Sequence, residues 1–175
     1  MVTNKSLIRT EAVFSNDGKH RFLLHKEWDK TKQTAMLIMK NPSIADTVSL
    51  DATTINVINN LVKLNFGSVD IVNLYSLISS KLRFSSDMGI NHSENDHFIR
   101  KYAEKADIII IAWGKIGNSK VVQLRQNELL QLISPYQDKI HIICDKKGNK
   151  GLHPLCPLIK HEWILEKIGK GESSD

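Results

Sequence analysis

The chain has 175 residues, 41% hydrophobic and 25% charged, with 24 basic against 19 acidic side chains and a pI of about 9.2. That length supports one domain with a real core and excludes two comfortable ones. No apolar run approaches the ~20 residues that span a bilayer, and the opening MVTNKSLIRTE lacks the apolar stretch of a signal peptide.

Two cysteines, Cys144 and Cys156, form no CxxC or metal-type spacing, so a reduced cytoplasmic protein is expected, away from membranes. The basic balance admits a nucleic-acid partner without demanding one.

Taken in order, Leu7–Phe14 and His20–Lys26 are β-type runs separated by Ser15-Asn16-Asp17-Gly18, a hairpin signal. A βα rhythm then begins. Ala35–Met39 reads as a strand, and Ala52–Phe66 as a helix that stops at Gly67. Val69–Tyr75 is the next strand, followed by a long irregular connection over Ser76–Asn91. Ser93–Ala106 reads as a helix capped by Ser93. Asp107–Trp113 is continuously apolar, as a buried parallel strand requires. Ser119–Ile133 is an amphipathic helix ending before Pro135, Lys139–Asp145 a fourth parallel strand, and Lys160–Ile168 a terminal helix. The expected architecture is α/β: a three-layer αβα sandwich with a four-stranded parallel sheet and an N-terminal antiparallel β-hairpin. It forms a single domain over residues 1–170, with 171–175 a disordered tail.

Ligands of open α/β sheets bind outside the carboxyl ends of the strands. The polar loops expected there are Asn41-Pro42-Ser43, the segment after Asn73, Trp113-Gly114 and Gly151-Leu152-His153-Pro154. Each also has a plain structural reading. Asn-Pro-Ser makes an ordinary turn. Asp51 can simply cap a helix, or serve as a base or a sugar-hydroxyl acceptor. Asn73, inside an apolar run, needs a hydrogen-bond partner, either a neighbouring loop or a ligand. Asn95 and Asp96 suit the first turn of a helix.

Gly114, Lys115, Gly117, Asn118 and Ser119 lead into a helix N-terminus, a plausible phosphate site, but match neither a P-loop nor a dinucleotide fingerprint. Lys146, Lys147 and Lys150 make the most basic loop, suited to phosphates. His153 beside Pro154 could meet a developing anion. The seven histidines have no metal-binding spacing, so no metal or cofactor is expected. Ser43, His153 and Asp51 could form a hydrolase triad, although Ser43 lacks the G-x-S-x-G elbow.

The ordered set NPS-x-A-D, D-x-T, V-N-L-Y, E-N-D, A-W-G and H-P-L, over roughly His20 to Leu158, resembles a bacterial domain-of-unknown-function family, number 1643. More distantly, the chain is similar to the uracil-DNA glycosylase superfamily. The likeness lies in the four-stranded parallel αβα sandwich and in Asn41-Pro42, Trp113-Gly114 and His153-Pro154, which match its motifs in kind and order. The chain departs from them at Met39, where a Gly is frequent, and at Leu155, where a Ser is. The resemblance implies that Asn41 positions an attacking water, that His153 stabilises the departing base anion, and that Tyr75 or Phe84 stacks on the base. Asp51 joins them as a catalytic candidate. Pro42, Ser43, Asn73, Tyr75, Asn95, Trp113 and Gly114 are the candidate substrate contacts. The expected function is nucleic-acid-associated, acting on a base or nucleotide flipped into the crevice. The alternatives are an inactive DNA- or RNA-binding module and an enzyme for a small anionic metabolite or nucleotide.

Overall fold

A strand apolar on both faces must be covered on both, and that requirement organises the chain. The computed structural model describes residues 1–43, 47–79, 92–115 and 119–168. The strands are β1 (Arg9–Phe14), β2 (Arg21–Glu27), β3 (Thr34–Met39), β4 (Ser68–Asn73), β5 (Ile108–Ile111), β6 (Ile140–Cys144) and β7 (Ile164–Lys167), and the helices α1 (Ala52–Lys63), α2 (His92–Lys105) and α3 (Lys120–Ile133). The strands form one sheet in the order β1-β2-β4-β3-β5-β6-β7. β3 runs parallel to β4 and β5, and β5 to β6. The β1–β2, β2–β4 and β6–β7 pairs are antiparallel.

Alternation along the central strands divides the core. Ala35, Leu37 and Met39 of β3 pack with Val57 and Leu61 of α1 on one face. Met36 and Ile38 pack with Ile99 of α2 and Val122, Leu129 and Ile133 of α3 on the other. Each such fully buried aliphatic side chain is worth about 1.5–3 kcal/mol relative to exposure.

The sheet is therefore mixed and seven-stranded: β4, β3, β5 and β6 run parallel to one another, the β1–β2 hairpin joins at one edge, and β7 adds an antiparallel strand at the other. The largest correction is at the C-terminus, where the expected helix over Lys160–Ile168 is an irregular approach followed by β7, with a short 3-10 turn, Pro157–Ile159, just before it. Its apolar spacing fits a helix, but β6 would otherwise leave its outer edge unpaired. Leu165 pairs with Ile143 in the β6–β7 ladder, while the buried Ile159 and Trp163 anchor the approach.

Two helix boundaries also move. α1 ends at Lys63, and Asn65 turns the chain in the left-handed region at φ 66°. Gly67 serves close approach instead of the helix stop, since a Cβ there would lie 1.9 Å from the Asp29 carbonyl oxygen. α2 begins at His92, which puts the expected cap, Ser93, inside its first turn. The expected tail 171–175 and the candidate aromatic Phe84 lie outside the described residues. Among the described residues no helix is long and apolar enough to cross a membrane.

His25 joins β2 to β4, with Nδ1 2.7 Å from Asp70 Oδ1. That hydrogen bond outweighs burial and raises the His25 pKa. The pair's stabilisation is then fully present below the unfolded value of about 6.5 and is lost as pH rises through the higher folded value. His25→Gln should cost about 1 kcal/mol more at pH 6 than at pH 9 in urea unfolding; an equal cost at both would contradict the linkage.

Candidate functional site

The site begins with an irregularity in β2. Val13 pairs with Leu23 and Phe14 with Arg21, so Phe22 is an extra residue in the ladder. Such a bulge reverses the in-out alternation beyond it. Phe22 stacks on Phe98 of α2, on the same side as Leu23. Arg21 is thereby turned to the α1 face, where its Nη1 lies 3.5 Å from the Ser43 carbonyl oxygen. It is only 1% exposed. Burial pulls its guanidinium down to about 10, against the opposing influence of the Asp51 charge. Further along β2, the buried Lys26 donates from Nζ to the Thr47 carbonyl oxygen at 3.0 Å.

Asp51 caps α1, its Oδ1 accepting the Thr54 N–H at 2.7 Å. Burial opposes its charge, yet hydrogen bonds from Ser43 and Thr54 and the Arg21 cation hold its carboxyl below the usual value. It is thus an ionised group near neutral pH and a weak proton acceptor.

His153 faces the same group. Burial lowers its pKa, with Asp51 opposing and Lys40 reinforcing the shift. The Leu155 N–H donates to His153 Nδ1 at 3.1 Å, which assigns the proton of the neutral ring to Nε2. His153 therefore offers a neutral Nε2–H donor. Gly114 makes room for it: at φ +71° a Cβ on residue 114 would lie 2.8 Å from His153 Cβ. Asn56 of α1 secures the loop from the other side through the Pro154 carbonyl oxygen at 3.2 Å.

Asn73 closes the arrangement. Its registered neighbour is Met39, and its alternation with Val69 and Ile71 carries its side chain to the α1 face. It is 0% exposed, and neither amide atom has a hydrogen-bond partner among the described residues. An unsatisfied buried amide costs on the order of 1–3 kcal/mol per group, which marks Asn73 as a donor–acceptor pair held ready.

The carboxyl edge of the sheet thus gathers Ser43, Asp51, Gly114 and His153, with Asn73 on the same face. The other candidates are placed differently. Asn41 donates its amide N–H groups to the Ser79 and Pro42 carbonyl oxygens at 2.9 and 3.3 Å. Pro42 is buried. Tyr75 and Trp113 pack into the cluster on the α2/α3 face. Asn95, also on that side, donates to the Asn73 carbonyl oxygen at 2.9 Å.

In the basic loop, Lys146 pairs with Glu162 at 2.7 Å and Lys150 with Glu166, so part of its charge is neutralised locally. Lys147 is exposed, and its backbone N–H is held by Asp145. Ser119 caps α3 without a side-chain hydrogen bond, and Gly117 and Asn118 of the expected phosphate loop lie outside the described residues. Sequence reasoning missed Arg21 and Lys40. A charge opening an apolar run was a visible signal for Arg21, but the bulge that aims it was not.

The fold and site define an α/β protein in which an ionised carboxylate and a neutral imidazole donor meet outside the carboxyl ends of the parallel strands. The model of a family described as protein of unknown function (DUF1643) matches residues 21–155, and the chain belongs to that family. The match runs from Arg21 to just past His153. No curated protein matches the chain.

Gly114→Ala should push His153 out of its half-buried position. Its pKa should return toward about 6.5 in an NMR titration, with a stability loss of about 1–3 kcal/mol from the strained φ. An unmoved His153 titration would contradict the proposed packing.

Proposed function

We propose that this protein binds a nucleobase, within a nucleic acid or a nucleotide, in the crevice between the loops after β3 and β6, and that its fold and site are uracil-DNA-glycosylase-like. The observation that carries the reading is Asn73: a fully buried amide with both its donor and its acceptor unpartnered among the described residues, on the face that holds Asp51 and His153. Such a pair complements the planar edge of a base, which presents a donor beside an acceptor.

The chemistry that fits is cleavage of the bond between a sugar carbon and a base nitrogen. The bond breaks with its electron pair leaving on the base, and water adds to the sugar carbon. The proton that this water releases ends on the base or in solvent. His153 Nε2–H would donate to the departing anion without first losing charge. Asp51, held ionised by Ser43, Thr54 and Arg21, would oppose the positive charge that develops on the sugar. Its low basicity assigns it this electrostatic role ahead of proton abstraction.

A second reading, a binding module without turnover, is favoured by the engagement of Asn41 with Ser79 and Pro42, which occupies the amide nitrogen that the resemblance implies for water positioning. One experiment separates the two. The protein is incubated with DNA carrying uracil, hypoxanthine or alkylated bases, and both binding and abasic product are measured. The enzyme reading expects abasic product that falls at least a hundredfold in His153→Ala. The module reading expects salt-dependent binding, weakened by Lys147→Glu, with no product. Absence of both, including binding at low salt, would overturn the nucleic-acid proposal.

A further inference from the structure

At the end of β4 the backbone hydrogen bonding becomes one-sided. The Leu74 N–H still reaches the Met39 carbonyl oxygen at 2.8 Å and the Tyr75 N–H that of Lys40 at 3.0 Å. On the other side, the β2–β4 ladder stops at the Leu24–Ile71 pair, and β2 is met again only where the Arg21 N–H donates to the Ser76 carbonyl oxygen at 2.9 Å. The carbonyls of Asn73 and Leu74 lie in this gap, although both residues are fully buried. Two buried side chains take them instead. Asn95 Nδ2 donates to the Asn73 carbonyl oxygen at 2.9 Å, with the Leu74 carbonyl oxygen at 3.5 Å. Arg125 Nε donates to the Leu74 carbonyl oxygen at 3.1 Å.

Arg125 is itself fixed. It is 3% exposed, and its guanidinium is bound through both terminal nitrogens by Asp96, with Glu128 at 3.4 Å. Asp96 is one residue from Asn95 on α2, and Arg125 is on α3. One ion pair thus locks both helices onto the two successive peptide units, 73–74 and 74–75, that follow the Asn73 side chain. A guanidinium suits this task, because its planar fork holds a carboxylate and a carbonyl at once in a set geometry.

We infer that Asn95 and Arg125 are positioning residues for Asn73: from the α2/α3 face they fix the carbonyls of residues 73 and 74, and so the direction in which the Asn73 amide is presented on the α1 face. The clamp's hold on Asn73 is independent of any ligand. Its consequence for base recognition rests on the proposed function. Asn95, expected as a substrate contact, acts in this proposal through the backbone.

The test uses the full chain and two readouts. The first needs no ligand: the side-chain NH2 signals of Asn73 in a 15N–1H spectrum. The second is the dissociation constant for free uracil and for a uracil-containing single strand. Asn95→Ala and Arg125→Met should shift the Asn73 signals and speed their exchange with water. Affinity for uracil should fall about tenfold while the His153 titration stays unchanged. Ile133→Ala, a core truncation two turns further along α3, gives the comparison for general destabilisation and should leave the Asn73 signals in place. If a truncation fails to fold, Asn95→Ser and Arg125→Lys replace it, with the same expectation. Unmoved Asn73 signals in the clamp variants, or equal movement in Ile133→Ala, would overturn the inference. Shifted Asn73 signals in a protein that binds no uracil would leave the clamp standing and sink the base-binding reading.

Discussion

A cation taken out of water must be answered by an anion or by several dipoles, and Arg21 imposes that demand on the carboxyl edge of this sheet. Its guanidinium is 1% exposed, and burial weakens its hold on the proton. The answer comes from the Ser43 carbonyl and the charge of Asp51. Each of these depends on a different part of the fold. Ser43 ends the turn after β3, Asp51 starts α1, and Arg21 reaches them only because Phe22 bulges out of the ladder. The same charge helps keep Asp51 ionised. Desolvation consumes most of the net stability that such an attraction could return. Its consequence here is an ionised carboxylate beside His153.

The two faces of the sheet divide the work. The α1 face carries the groups with chemical capacity: Asp51, His153 and the open amide of Asn73. The α2/α3 face carries packing and one buried ion pair, whose donors reach through to the backbone at the end of β4. A strand end is where such bracing is needed, because ladder hydrogen bonds run out there while the carbonyls stay buried. Gly114 plays a comparable part for the last loop, its missing side chain leaving the space that His153 occupies.

Particular residues show how far the chain could be read without coordinates. The strand at Ala35–Met39 and the helix from Ala52 to Lys63 follow from periodicity, since apolar spacing decides which surface must leave water. Asp51 and Gly114 were visible as a cap and a permissive backbone position, and the structure adds what each faces. The C-terminal segment failed as a helix because its spacing suits either state, and only the unpaired edge of β6 selects the strand. Lys146 and Lys150 read as free phosphate ligands in the sequence, but Glu162 and Glu166 meet them across a distance that no local pattern encodes.

By itself, then, the sequence determined the class of fold, the order of its core strands and helices, and the loops that carry polar chemistry. These depend on local propensity and on the period of apolar residues, which are properties of short windows. Tertiary structure alone decided which polar groups meet. Arg21 faces Asp51 because a bulge reverses one strand's alternation. His153 is a neutral donor because it is half-buried against Gly114, with Leu155 on its other nitrogen. Asn73 has no side-chain partner among the described residues, while the donors of Asn95 and Arg125 go to backbone carbonyls. Apart from the Leu155 N–H, two residues from His153, these arrangements depend on contacts between residues far apart in the chain, where burial and charge act through space and no sequence window contains both partners.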